Sequence, residues 1–143
     1  MSAIIMEKTY PVPKELVWKW LTDDELLGLW CMKSTGMTLE IGAHFTFETP
    51  PTPIWSGVFK NTLTEFVTNE LLVYTSLTDK PQLTTEIRWT LSETNGQTTL
   101  KLVHSGFTVK QLMVQSMIYH NWRVMVHDAL YARLVQAHAT ASL

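Results

Sequence analysis

Residues 84–107, TTEIRWTLSETNGQTTLKLVHSGF, and residues 110–138, KQLMVQSMIYHNWRVMVHDALYARLVQAH, carry two different periods, and their succession decides the fold. In Thr84–Ser92 the residues Thr85, Ile87, Trp89 and Leu91 alternate with Glu86, Arg88 and Thr90, as a half-buried strand requires. Asn95-Gly96 supplies a tight turn, and Thr98–Ser105 then places Leu100, Leu102 and His104 on one face. After Gly106-Phe107 neither Gly nor Pro occurs, and a helical period runs for about 28 residues, roughly 42 Å of helix. A hairpin followed by a helix long enough to cross a whole sheet points to an α+β unit.

Toward the N-terminus the remaining elements follow. Ala3–Tyr10 is rich in apolar and β-branched residues and stops at Pro11 and Pro13, which predicts a first strand. Leu16, Val17, Trp20 and Leu21 recur at helical spacing over Lys14–Leu21. Thr22 with Glu25 offers a capping box for a second short helix ending near Trp30. Beyond Gly36, Phe45 and Phe47 alternate with His44, Thr46 and Glu48; Pro50–Pro53 makes a turn; strands are expected over Trp55–Thr62 and Leu71–Leu77.

The whole-chain numbers set bounds. At 143 residues, with 45% hydrophobic and 17% charged, the chain is expected to fold as one domain spanning 1–143. Lys and Arg total 11 against 13 Asp and Glu, for a net charge of -2, and no basic cluster of the kind nucleic acid requires is present. Cys31, the one cysteine, can form no internal disulfide or thiolate zinc site. Glu7 and Lys8 interrupt the N-terminal apolar run before signal-peptide length, and no window reaches the roughly 18 apolar residues of a membrane span. A cytoplasmic location and no cofactor are the resulting expectations. No internal repeat or linker is visible.

The phrases VPKELVWKWLTDDELLGLW (Val12–Trp30), IGAHFTFET (Ile41–Thr49), WSGVFKNTL (Trp55–Leu63) and TTLKLVHSGF (Thr98–Phe107) together resemble the homologues of the activator of heat-shock protein 90 ATPase, within the START-like (SRPBCC) superfamily. That resemblance implies a helix-grip fold: a curved antiparallel sheet of about six strands wrapped around the C-terminal helix, with two short helices after the first strand. It also implies an internal cavity in which many members bind a small apolar molecule. Two positions differ from the common pattern, Asn121-Trp122 for a Gly-Trp pair and Leu29-Trp30 for a double Trp. The co-chaperone's chaperone-gripping domain is a separate N-terminal domain for which the chain leaves no room, so chaperone activation is not expected.

At 100° per residue the last helix presents Met113, Val114, Met117, Ile118, Trp122, Met125, Ala129 and Ala132 in one apolar arc, with Asn121 and Asp128 inside it. Those two polar residues either meet a ligand or form core hydrogen bonds, Asp128 alternatively pairing with an Arg. His104, on the inward strand face, is either a pocket acid or base, for which no Ser, Cys or Asp partner is identifiable, or a core residue donating to a backbone carbonyl. His120 and His127, seven residues apart, lie about 10 Å from each other on one helix face, too far for one metal ion. Cys31 reads as a small buried apolar residue.

Six tryptophans and seven methionines suit an adaptable apolar cavity, and packing alone explains them equally well. The expected ligand-facing set is Phe45, Phe47, Tyr74, Trp89, His104, Met113, Met117, Asn121, Trp122 and Asp128, with Tyr74 dependent on which face of its strand is buried. The functions that follow are binding of a small apolar or aromatic molecule, a cyclase- or aromatase-type enzyme using the same cavity, or a stress-associated interaction domain with a filled cavity. The assembly expected is a monomer or homodimer.

Overall fold

A computed structural model describes residues 3–141. Its elements run β1 (Ile4–Tyr10), α1 (Lys14–Thr22), α2 (Asp24–Trp30), β2 (Lys33–Thr35), β3 (His44–Glu48), β4 (Val58–Val67), β5 (Leu71–Asp79), β6 (Gln82–Thr94) and β7 (Gln97–Ser105). A 3-10 turn (Val109–Gln111) then leads into α3 (Leu112–Arg123), a π turn (Val124–Ala129) and α4 (Leu130–Ala141). All strand pairs are antiparallel, in the order β1-β7-β6-β5-β4-β3-β2. The sheet curves about the C-terminal helix, which runs 33 residues, and the fold is a helix-grip α+β fold with seven strands rather than about six.

The additional strand is β2, three residues long and too short to leave a periodic trace. It is held by Asp24 at the start of α2, whose carboxylate accepts from Ser34 Oγ at 2.7 Å, Gly36 N at 3.0 Å and Met37 N at 3.1 Å. The cap of α2 also falls one residue later than the Thr22 pattern predicts. Asp23 Oδ1 accepts from Leu26 N at 3.0 Å, while Thr22 Oγ donates to Trp18 O inside α1. Asn95 and Gly96, both at positive φ, close the β6–β7 hairpin as their types demand. A register shift between Leu63 and Glu65 bends β4 against β5 and adds to the curvature.

One apolar core joins the inner face of the sheet to α1, α2 and the C-terminal helix. Val17, Trp18, Trp20 and Leu21 of α1 and Leu27 and Trp30 of α2 are buried, as are Ile87, Trp89 and Leu91 of β6 and Leu100 and Leu102 of β7. From the helix the buried residues are Trp122, Val126, Leu130 and Leu134, a spacing of four throughout. In a uniform α-helix each step of four rotates the side chain by about 40°, so this stripe would drift off the sheet. The π turn, in which Leu130 N donates to Met125 O, winds more slowly and returns the stripe to the core. Tyr10 Oη donates to Val126 O at 2.7 Å and so satisfies a carbonyl within that turn.

The arc expected from sequence is corrected. Met113 is 84% exposed and Met117 is 64% exposed, and Asn121 and Asp128 are exposed as well. The sheet-facing residues of α3 are Val114, Ile118 and Trp122.

Candidate ligand-binding site

Register assigns the inner face row by row. Leu63 of β4 stands opposite Tyr74 of β5, Tyr74 opposite Ile87 of β6, Ile87 opposite His104 of β7, and His104 opposite Ile4 of β1. Two residues further along, toward the β5–β6 turn, Phe45, Asn61, Ser76 and Thr85 stand opposite one another in turn. The first row is apolar apart from His104 and the Tyr74 hydroxyl. The second begins with a phenylalanine and continues with three neutral polar side chains.

Aromatic rings cover the apolar part. Phe45, Phe47 and Tyr74 meet edge to face at 5.1–6.0 Å between centroids, Trp89 meets Trp122 at 5.3 Å and Trp30 at 6.2 Å, and Phe107 packs 4.8 Å from His104. The polar tips are tied off within the cluster: Trp89 Nε1 donates to Tyr74 Oη at 3.1 Å, and Trp30 Nε1 donates to Trp20 O at 2.9 Å. Burial pushes the Tyr74 phenol well above its ordinary range, so it remains a neutral donor and acceptor.

His104 links this cluster to the polar row. An indole N–H can only donate, so the 3.0 Å bond from Trp122 Nε1 makes His104 Nδ1 an acceptor. The neutral ring then carries its proton on Nε2, which donates to Thr85 Oγ at 2.8 Å. Burial lowers the His104 pKa to about 3. With both nitrogens engaged and the ring neutral, His104 orients neighbouring groups and has no free position for proton transfer. Gly106, at positive φ, lets the chain leave β7 close against β6: a Cβ there would sit 3.1 Å from Thr84 O and 3.2 Å from Thr85 Cα.

Asn61 and Ser76 have no such arrangement. Asn61 is 1% exposed and Ser76 3%, and neither Asn61 Nδ2, Asn61 Oδ1 nor Ser76 Oγ has a hydrogen-bond partner. The orphaned amide and hydroxyl are cross-strand neighbours beside Thr85, where burial without a partner costs about 1–3 kcal/mol per group.

Of the residues expected from sequence, Phe45, Phe47, Tyr74, Trp89, His104 and Trp122 are gathered on the inner face. Met113, Met117, Asn121 and Asp128 lie on the outside of the helix and are not part of this constellation. Asn61, Ser76 and Thr85 were not among the expected set. The signal for Asn61 was present in VFKNTLTEF, where Phe59, Asn61 and Leu63 share one strand face. Cys31 is half-buried against the core at the end of α2, its thiol pushed well above the ordinary range by burial. Among the described residues no group of three or more His, Cys, Asp or Glu side chains is placed to hold a metal ion.

Two surface concavities are present among the described residues. One of about 840 Å³ lies along β3, β4 and β5, where Thr46, Lys60 and Leu77 line it together with Phe45, Asn61 and Ser76 of the candidate site. The other, of about 420 Å³, lies between β1 and α3, lined by Ile4, Ile5, Leu112, Gln115, Ser116 and Tyr119. Of the aromatic cluster only Phe45 lines either of them.

A family model described as Activator of Hsp90 ATPase homolog 1-like protein matches residues 11–134. Protein MLL2253 from Mesorhizobium loti is similar in structure with a TM-score of 0.84 at 22% identity, over 95% of this chain and 98% of that one. DynU16, a protein in the dynemicin biosynthetic locus, is similar with a TM-score of 0.78 at 17% identity, over 96% of this chain and 49% of its own. The Aha1 dimer from Colwellia psychrerythraea gives a TM-score of 0.68 at 18% identity, over 87% of this chain and 96% of that one. At these identities the likenesses show the fold. No curated protein matches the sequence. No helix among the described residues is long and apolar enough to cross a membrane.

Proposed function

The chain belongs to the Activator of Hsp90 ATPase homolog 1-like family, and from that premise we propose that it is a START-like domain, spanning 1–143 and acting in the cytoplasm, that binds a small apolar or aromatic molecule between its sheet and its C-terminal helix. The observation that carries this reading is the orphaned Asn61 amide and Ser76 hydroxyl, buried beside an aromatic inner face. A packed core normally satisfies its polar groups, and two neighbouring exceptions mark a place where a partner is missing. Phe45, Phe47, Tyr74, Trp89 and Trp122 supply the apolar contact area, with edge-to-face geometry that a planar ligand can extend.

Access comes from the helix. Within α3 only Trp122 is buried, whereas α4 buries Leu130 and Leu134, so α3 is the more weakly held wall of the site. Besides Trp122, the start of the helix is tied to the sheet by Gln111 Nε2, which donates to Gln82 O at 3.2 Å.

DynU16, from a biosynthetic locus, keeps the enzyme reading in view. The geometry gives it less support, because His104, the one histidine on the inner face, has both nitrogens engaged. Binding is tested by titrating the protein with a panel of small aromatic compounds while following tryptophan fluorescence. Saturable quenching at one equivalent is expected, since Trp89 and Trp122 face the site. A panel that yields only linear, collisional quenching contradicts the reading.

A further inference from the structure

The polar row has a direction. Trp122 Nε1 can only donate, so His104 must accept at Nδ1 and donate from Nε2, and Thr85 Oγ receives that proton's bond. The Thr85 hydroxyl therefore has its own hydrogen to give, and no acceptor for it is found among the described residues. Ser76 Oγ stands opposite Thr85 without a partner, and beyond it the Asn61 carboxamide offers two donors and an acceptor that are equally unused. The row thus presents a fixed donor at Thr85, an adaptable hydroxyl at Ser76 and an amide at Asn61.

It is also uncharged. The buried polar residues are Asn61, Ser76, Thr78, Thr85, Thr98 and His104; none of these is a formally charged type, and the bond from Trp122 holds His104 in its neutral form. An anion placed here would have no counter-charge and would lose its hydration shell. A wholly apolar ligand would leave the orphaned groups unpaired.

We propose that Asn61, Ser76 and Thr85 form the polar end of the ligand site and select an uncharged ligand bearing a carbonyl or carboxamide group on an aromatic or apolar body. The carbonyl oxygen accepts from the Thr85 and Ser76 hydroxyls, and the Asn61 amide pairs with the adjoining substituent. Trp122 and His104 are positioning residues that act on the ligand through Thr85. This inference rests on the proposed binding function and specifies its ligand class.

The test is a calorimetric titration of the full chain with three compounds sharing one ring system: 2-naphthamide, 2-naphthoate and naphthalene. Binding of 2-naphthamide about tenfold or more tighter than the other two is expected, the order of one to two net hydrogen bonds. N61L and Thr85→Val should reduce 2-naphthamide to the affinity of naphthalene while leaving naphthalene unchanged, and Thr85→Ser should restore the preference. Because N61L removes an orphaned amide, it should melt no lower than the wild type, which separates lost binding from lost fold. Nitrogen-15 NMR should find the His104 proton on Nε2. Equal affinity for all three compounds would overturn the polar selection while leaving apolar ligand binding standing. Failure of all three to bind would overturn both.

Discussion

At the scale of single residues, His104 carries the clearest consequence. Its pKa falls from the ordinary 6.5 to about 3 on burial. A group whose folded pKa is depressed contributes stability above its unfolded pKa and loses it as pH falls. Stability should therefore be level from neutral pH down to about 6.5 and then decline, by about 2 kcal/mol at pH 5 from this one group. Chemical denaturation at pH 7 and pH 5 measures this, and H104Q should show a smaller drop over the same interval. An unchanged drop would remove His104 as its source. How far such residues could be read beforehand depended on their neighbours in sequence. His104 was legible because Leu100 and Leu102 fix its face. Asn61 was only partly so, because the strand was expected to end at Thr62, leaving Phe59 but not Leu63 to mark the face it shares. Ser76 was obscured by Leu71, Leu72 and Val73, an apolar run that leaves the buried face of β5 undetermined.

At the scale of elements, the C-terminal helix shows where periodicity stops being sufficient. Its existence and approximate extent followed from the stretch lacking Gly and Pro, and the expected Lys110–His138 lies within the observed Val109–Ala141. Its facing followed only in part, because the expected arc was broader than the sheet-facing stripe and a uniform 100° per residue cannot anticipate a π turn. On α3 the inner side is Val114, Ile118 and Trp122, one flank of the expected arc, while Met113, Met117 and Asn121 on its other flank are exposed; past the turn Val126, Leu130 and Leu134 face inward and Asp128 does not. The turn is held partly from outside the helix, by the 2.7 Å bond from Tyr10 Oη. Tyr10→Phe should keep the ring's packing and leave the Val126 carbonyl unpaired, at a cost of about 1–2 kcal/mol in urea denaturation. By contrast, Met117→Gln should change stability by no more than about 0.5 kcal/mol, since the side chain is 64% exposed. A large loss there would mean that this face packs against something.

At the scale of the whole molecule, strand alternation, the Asn95-Gly96 hairpin and the chain-long family pattern together made the helix-grip architecture legible. The missed strand β2 depends on long-range support from Asp24 rather than on any local pattern. The inner face carries a dense aromatic cluster with an unsatisfied polar row beside it. The central claim is that this row is where a ligand sits. Two-dimensional NMR of the labelled protein during titration with 2-naphthamide locates the ligand directly. The account predicts shifts concentrated on the Asn61 side-chain amide and the indole N–H signals of Trp89 and Trp122. Shifts confined to Thr46, Lys60 and Thr84 that spare the Asn61 amide and both indoles, or confined to the groove between β1 and α3, would contradict it.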